Sequence, residues 1–445
     1  MAPSTTTGVS SAGRLRRILG VGFGLAVTLG STIGVGILRS PGGVAAQLQV
    51  PTTILLLWLF GGLYTLLGAV CLTELGTMVP QAGGYYVYAR RAFGNWIGFA
   101  VGWTDWLAYC AVLGYVSIGM GDFLGALFPG LAGWVRPVAI AVLVGFVALQ
   151  GAGIRVSSRF QEWATAIKCV AFLALIIAGL VMSSKGGAAV SAALPAPTSS
   201  GVVAALQLVV VTYAGWQSAL YFTEEDRDTS RNLPRAMIGG VLAVIVIYVL
   251  VNVALLAILP MSELAGAKLP ASVAAEKLLG SLGGQIITVL SVVSLAPLLN
   301  AIMMIGTRIL FALGRDRLFW SRTADVNARG TPHVATLVTT VVAIVLIATG
   351  TFERLVAMAS FFLALNYAIS CVALVVLRRR EPATARPFRA WGYPWSAAIV
   401  VAGALVFLTS SLIADTRTAL AALGVLGAGL VGYAVLRDRA HAPKP

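Results

Sequence analysis

The sequence predicts an all-α integral membrane protein with about twelve transmembrane helices. Hydrophobic residues make up 58% of the 445-residue chain and charged residues only 11%, whereas a soluble domain carries roughly 25% charged residues. The apolar residues form blocks of about 20, long enough for a helix to cross roughly 30 Å of hydrocarbon, and they do not alternate as barrel strands require. The 49 glycines suit close packing of helices in lipid.

The apolar blocks define the predicted spans in chain order. They are residues 20–38, 52–79, 95–126, 134–152, 160–183, 201–223, 236–260, 283–313, 333–350, 353–377, 393–413 and 418–436. The longest stretch between spans is 261–282, too short for a soluble domain. No small-residue cleavage site follows the basic N-terminal segment, so we expect the first span to be retained.

The distribution of basic residues predicts the orientation in the plasma membrane. With an even number of spans, both tails and every second connection lie on the same side of the membrane. Of the 31 Lys and Arg residues, 23 fall on that side, seven fall on the other side, and Lys168 lies within a span. Cytoplasmic segments carry an excess of Lys and Arg, so both termini are expected in the cytoplasm. The net charge of +15 then reflects topology, and no nucleic acid partner is expected.

Two predicted spans contain sequences that disfavour an uninterrupted helix. The first span has Gly30, Gly34 and Gly36 with two hydroxyl residues between them, and the sixth has Gly215 among polar and aromatic neighbours. Spans one and six correspond if the chain consists of two five-helix halves. Paired interruptions in two halves are typical of inverted-repeat transporters that bind their solute near the bilayer midplane.

An interrupted helix also predicts the chemistry of the solute. The amide groups that start the second half favour an anion, and the carbonyl groups that end the first half favour a cation. Two such breaks side by side would suit a zwitterion with a carboxylate and an ammonium group. These are the groups that all α-amino acids share.

Several motifs, taken together, carry a resemblance to a known family. They are Gly30-x-x-Ile33-Gly34-x-Gly36-Ile37, Glu74-Leu75, Pro80-x-Ala82-Gly83-Gly84-Tyr85-Tyr86, Tyr213-x-Gly215-Trp216, Glu224-Glu225, Arg231-Asn232-Leu233-Pro234-Arg235-Ala236, Arg308, Arg315-Asp316-Arg317-Leu318-Phe319, Arg386-Pro387-Phe388 and Tyr393-Pro394. Because these motifs occur in this order and with this spacing, the chain resembles the amino acid–polyamine–organocation (APC) superfamily from residue 14 to about 437. It looks nearest to the L-type (LAT-like) bacterial amino acid exchangers and permeases.

The resemblance implies a LeuT-type 5+5 inverted repeat with helices 1 and 6 interrupted, plus two peripheral helices. On this chain the first five-helix repeat would occupy 20–183 and the second 201–377. The peripheral helices 11 and 12 would occupy 393–436, with cytoplasmic tails at 1–19 and 437–445.

The resemblance also implies a set of substrate-binding residues. The amides of Val35 and Gly36 would hold the carboxylate of the amino acid, and nearby carbonyls would hold its ammonium group. The implied set is Thr32, Ile33, Gly34, Val35, Gly36, Tyr109, Val211, Tyr213, Ala214, Gly215, Trp216, Gln217 and Ile302. Arginine-type members carry Trp and Glu where Val211 and Gln217 stand here.

Lys168 is the one basic residue placed well within a predicted span. A lysine at a helix centre costs at least about 2.5–3.5 kcal/mol on insertion scales, so it is seldom accidental. In the family, a lysine here fills the space where sodium-coupled relatives bind their cation. We therefore expect sodium-independent transport, coupled either to exchange or to protons, with Ser291 and Ser294 as candidate hydroxyl partners.

The acidic residues favour a neutral amino acid as the substrate. Asp105, one turn before Tyr109, is interpreted as a carboxylate away from the solute, which leaves no carboxylate at the midplane to pair with a cationic side chain. Exchange of cationic amino acids or polyamines is the alternative. With His333 and His441 as the only histidines and no metal-ligand spacing among the four cysteines, we expect no enzyme activity, metal or cofactor. A receptor or channel remains a further alternative, and the oligomeric state is open.

Overall fold

The computed structural model describes residues 15–183 and 198–441, and these two ranges contain helices and connections but no β-strand. The α-helices are α1 (Val21–Thr32), α2 (Gly36–Leu48), α3 (Pro51–Met78), α4 (Tyr85–Phe93), α5 (Asn95–Leu127), α6 (Val135–Gly151), α7 (Ile154–Ser183), α8 (Ser199–Tyr213), α9 (Thr229–Ile258), α10 (Met261–Gly266), α11 (Pro270–Leu279), α12 (Ser281–Arg315), α13 (His333–Thr349), α14 (Phe352–Arg380), α15 (Trp395–Ala414) and α16 (Thr416–His441). The predicted all-α class is confirmed.

The helices account for the predicted membrane spans. Within the described residues, ten segments are long and apolar enough to cross a membrane, two of them an α-helix joined to a 3-10 segment, and the bent pair α1 and α2 would form an eleventh span. Helix α13 lies at the predicted span 333–350 and is apolar, but its 17 residues make it shorter than the ten spanning segments. Every predicted span thus has a helix at its position, while the total of twelve stays a prediction.

The first span is interrupted where the glycines are concentrated. Helix α1 ends at Thr32, residues 33–35 are not helical, and α2 starts at Gly36 with its axis turned by 43°. The span also continues to Leu48, ten residues beyond the predicted end at residue 38. The extension was missed because Pro41 and the glycines that follow it resemble a helix end in the sequence.

The sixth span is interrupted as well, and its break lies against the first. Helix α8 ends at Tyr213, and a 3-10 segment, Trp216–Phe222, follows two non-helical residues. Gly215 has φ +113°, a left-handed conformation that favours glycine. A Cβ atom on Gly215 would lie 2.5 Å from Ser31 O, so only glycine lets the two breaks approach this closely.

Ion pairs concentrate at one end of the bundle, which we call the arginine-rich end. Leu19 and the connections after α4, α12 and α14 lie at this end. The pairs are Arg90–Asp316, Arg91–Glu381, Arg315–Glu224 and Arg378–Glu74. The opposite end holds the connection from α2 to α3 and the start of α14.

Glu74 ties α3 to the connection between α14 and α15. Its fully buried carboxylate accepts hydrogen bonds from Arg378 Nε at 2.8 Å and Nη2 at 2.5 Å. It also accepts one from the backbone amide of Ala390 at 2.7 Å, and Arg386 Nε lies 3.2 Å away. Removing this one charge would leave the guanidinium groups of Arg378 and Arg386 without a carboxylate, although Arg386 also donates to backbone carbonyls.

We predict that Glu74→Gln lowers the free energy of unfolding by about 3 kcal/mol, because breaking a buried ion pair leaves an uncompensated charge. The matched variant Glu381→Gln breaks the partly exposed pair with Arg91 and should cost about 1 kcal/mol or less. Denaturant unfolding of the purified protein in detergent measures both. Equal losses in the two variants would contradict this account of Glu74.

Candidate functional site

A cavity of about 350 Å³ lies where the two breaks meet. It reaches from the breaks towards the opposite end, where Phe123 on α5 and Phe352 on α14 line it. Its volume is within the roughly 300–1,000 Å³ that is usual for small-molecule sites. The two interrupted helices thus open onto one shared space.

Ten of the thirteen residues implied from the sequence line this cavity. They are Thr32, Gly34, Val35, Gly36, Tyr109, Val211, Ala214, Gly215, Gln217 and Ile302. The structure therefore brings together residues from four separate segments of the chain.

The other three implied residues lie behind the wall of the cavity. The side chain of Ile33 is fully buried. The Tyr213 hydroxyl points away and donates a hydrogen bond to Trp58 O at 3.0 Å. Trp216 stacks on the ring of Tyr367 with centroids 5.3 Å apart. For these three, the motifs give the position along the chain but not the direction of the side chain.

The start of α2 presents backbone amide groups to the cavity. Within residues 15–183 and 198–441, no acceptor binds the amides of Val35 and Gly36, and Gly36 is exposed to the cavity. The first N–H groups of a helix lack partners and carry partial positive charge, so they attract an anion. A Cβ atom on Gly36 would lie 3.3 Å from Thr212 Cγ2, so a larger residue would crowd the space before these amides.

The carbonyl groups near the breaks are partly engaged already. The Tyr248 hydroxyl donates to Thr32 O at 2.7 Å and to Thr212 O at 3.1 Å. The carbonyl of Val211 accepts from the amide of Ala214 at 3.1 Å. A carbonyl oxygen has two lone pairs, so each of these groups retains room for a second donor.

Lys168 on α7 holds the end of α1. Its side chain is fully buried, and Nζ donates to Gly30 O at 2.8 Å and also to Ile33 O. Gly30 O lies in the last turn of α1 and Ile33 O just after its end, so both carbonyls are where the helix stops inside the bundle. The ammonium group therefore takes the place of the missing backbone donors.

The two serines named with Lys168 make other contacts. Ser291 Oγ donates to Ile287 O at 2.8 Å on its own helix. Ser294 Oγ is buried and has no hydrogen-bond partner in the part of the chain that the structure describes. A coupling role of either serine stays a prediction.

Gln217 connects the cavity to the surrounding helices. Its Nε2 donates to the Tyr109 hydroxyl on α5 at 3.2 Å, and its Oε1 accepts from the Tyr367 hydroxyl on α14 at 2.8 Å. The same Oε1 accepts the amide of Gly215 at 3.2 Å. The start of the 3-10 segment is thereby fixed to two helices that are otherwise far away in sequence.

Arg39 is a lining residue that the sequence reasoning missed. Among the described residues that line the cavity it carries the only charge, and it forms no ion pair there. Its guanidinium carbon lies 6.0 Å from the centre of the Phe352 ring. The spacing of Arg39 from Gly36 could have identified it, because a residue three positions after Gly36 lies on the same face of α2.

The arginine-rich end is closed below the cavity. Arg308 donates to Glu225 through Nε at 3.0 Å and Nη2 at 3.1 Å, and both side chains are almost fully buried. Above this pair, the Tyr221 hydroxyl donates to both oxygens of Asp105, at 2.9 and 3.1 Å. Asp105 does not line the cavity, which agrees with its interpretation from the sequence.

Comparison with known proteins gives the same class of molecule. A family model described as amino acid permease matches residues 24–428. The serine/threonine exchanger SteT of Bacillus subtilis (strain 168) is 29% identical over 431 residues, covering 96% of this chain and 98% of that protein.

Two mammalian transporters are similar over most of the chain. The b(0,+)-type amino acid transporter 1 of Oryctolagus cuniculus is 28% identical over 386 residues, covering 84% of this chain and 79% of that protein. The human large neutral amino acids transporter small subunit 2 is 28% identical over 387 residues, covering 84% and 72%. The family model covers most of the length of this chain. The chain therefore belongs to the amino acid permease family.

Proposed function

We propose that this protein carries neutral amino acids across the plasma membrane by alternating access, without sodium. The observation that supports it best is the contact of two interrupted helices at one cavity, with free amides on one side and carbonyls on the other. A solute with a carboxylate and an ammonium group fits both ends of such a site.

The binding roles follow from the positions of these groups. The amides of Val35 and Gly36 bind the carboxylate of the substrate, and the carbonyls near Thr32 and Ala214 bind its ammonium group. Tyr109, Gln217 and Ile302 surround the side chain of the substrate. Ile33, Tyr213 and Trp216 support the site from behind.

The charge of the cavity favours a neutral side chain. No carboxylate is present among the described lining residues, and Arg39 adds a positive charge at the mouth. A cationic side chain would find no carboxylate among these lining residues and would meet the charge of Arg39, which Asp122 offsets in part. The names of two relatives, a serine/threonine exchanger and a large neutral amino acids transporter subunit, refer to neutral substrates.

The arrangement in the membrane belongs to the same proposal. The 5+5 inverted repeat divides the chain into 20–183 and 201–377, with 393–436 as peripheral helices. The excess of Lys and Arg supports a cytoplasmic location for the arginine-rich end and for both tails, 1–19 and 437–445. The cavity then faces the outside, while the Arg308–Glu225 pair closes the cytoplasmic side.

We predict that neutral amino acids compete for uptake and that arginine, lysine and putrescine compete at least about 10-fold more weakly, a difference of roughly 1.4 kcal/mol or more. The measurement is counterflow of a labelled neutral amino acid into preloaded proteoliposomes with each competitor outside. In Arg39→Gln the discrimination should narrow, because one repulsive charge is removed. Saturable arginine transport as strong as that of neutral amino acids would favour the alternative, a cationic amino acid or polyamine exchanger.

Lys168 carries the proposal of sodium independence. Its ammonium group occupies the space beside Gly30 O and Ile33 O, the kind of carbonyl group that a bound sodium ion would need. A second cation beside a buried lysine would meet repulsion rather than a negative field.

We predict equal initial rates of counterflow in sodium and in choline. Lys168→Met should reduce turnover at least about 10-fold, because it leaves two buried carbonyls without a donor at about 1–3 kcal/mol each. The matched variant Lys277→Met, which removes a partly exposed lysine paired with Glu263, should transport normally. Stimulation by sodium, or full activity of Lys168→Met, would contradict the assignment.

A further inference from the structure

A fully buried carboxyl group lies between the cavity and the arginine-rich end. In the part of the chain that the structure describes, Asp105 accepts a hydrogen bond from the Tyr221 hydroxyl, which has a single hydrogen for both carboxyl oxygens, and the Asn366 side chain is the other polar group in reach. An ionised carboxylate offers about four acceptor positions. Within residues 15–183 and 198–441, no Lys, Arg or His comes within 4.0 Å of Asp105.

The surroundings of Asp105 supply no compensating charge. The titratable groups that face it are phenols from α4, α5, the 3-10 segment and α14, namely Tyr85, Tyr109, Tyr221 and Tyr367. On α14 the Asn366 side chain also lies beside it. On α12, which packs against α5, Arg308 is already bound to Glu225 through two hydrogen bonds.

These surroundings favour a neutral carboxyl group. An isolated carboxylate charge in a low-dielectric interior is so costly that the group takes up a proton instead. Ionisable residues inside membrane proteins with this kind of isolation often serve as proton carriers.

Asp105 is mechanically connected to the solute site. Tyr221 lies four residues after Gln217 in the same 3-10 segment, and Gln217 lines the cavity. On α5, Tyr109 lies one turn from Asp105, accepts a hydrogen bond from Gln217 Nε2, and meets the ring of Tyr221 edge to face at 5.3 Å. A movement of the 3-10 segment would therefore change the solute site and the environment of Asp105 together.

We propose that Asp105 is a proton-binding site that couples amino acid transport to proton movement. This inference rests on the proposed function. When the arginine-rich end opens, the 3-10 segment carries Tyr221 away from α5 and water reaches the carboxyl group. The O–H bond of Asp105 then breaks and its proton passes to water on that side, as the amino acid leaves. After the carrier returns, the carboxylate takes up a new proton through the cavity.

The test separates proton-driven accumulation from exchange. Wild-type protein in proteoliposomes should accumulate a labelled neutral amino acid against its gradient when the outside is made acidic, and an internal pH dye should report acidification during uptake. Asp105→Asn mimics the protonated group permanently. It should lose accumulation and acidification but retain counterflow, because exchange needs only the loaded carrier. The control Glu381→Gln, which breaks the partly exposed pair with Arg91 outside the cavity, should behave as wild type.

Each outcome decides the proposal. Accumulation by Asp105→Asn equal to that of wild type would overturn it. Counterflow by the wild type without any response to the pH gradient would overturn the inference but leave the proposed function standing, whereas absence of wild-type counterflow would overturn both.

A second variant covers the case in which Asp105→Asn does not fold. Tyr221→Phe removes only the hydroxyl that binds Asp105 and keeps the ring contacts. It should shift the pH at which proton-driven accumulation is half-maximal. An unchanged pH profile in Tyr221→Phe would show that the carboxyl group next to it does not carry the transported proton.

Discussion

A helix that stops inside a membrane leaves carbonyl groups without donors, and Lys168 is the donor that makes this possible here. Its ammonium group lies beside the last turn of α1, where it binds the carbonyls of Gly30 and Ile33. In hydrocarbon each unsatisfied group would cost several kcal/mol, so irregular backbone survives only where protein groups or a watery cavity satisfy it. The fully buried lysine is tolerated for the same reason, because the carbonyls that need a donor accept the hydrogen bonds of its Nζ.

The second break depends on the first. Gly215 packs against the carbonyl of Ser31, and the Tyr248 hydroxyl bridges the carbonyls of Thr32 and Thr212, so the two interrupted helices share one donor. Gln217 then fixes the next segment to α5 and α14. The site is therefore built from backbone groups held by side chains outside it. Such a site recognises the part that all amino acids share and leaves their side chains to the walls of the cavity.

The sequence predicted the helices because these depend on local properties. Runs of apolar residues and clusters of glycine determine them within one segment of chain. The directions of side chains were less predictable, as Tyr213 and Trp216 show, since packing against Trp58 and Tyr367 decides them. Arg39 was missed because the first span was predicted to end at residue 38. The isolation of Asp105 could not be predicted either, because it depends on which groups four other elements place around it.

The central claim is that free amides and carbonyls at the two breaks bind the two charged groups of an amino acid. Calorimetric titration of the purified protein tests it most directly. The ligands are the neutral amino acid that counterflow ranks highest, its amino alcohol without a carboxylate, and its deamino acid without an ammonium group. The account predicts that each analogue binds at least about 100-fold more weakly, roughly 2.7 kcal/mol, and that Gly36→Val binds none of the three. Binding of the amino alcohol as tight as that of the amino acid would contradict it.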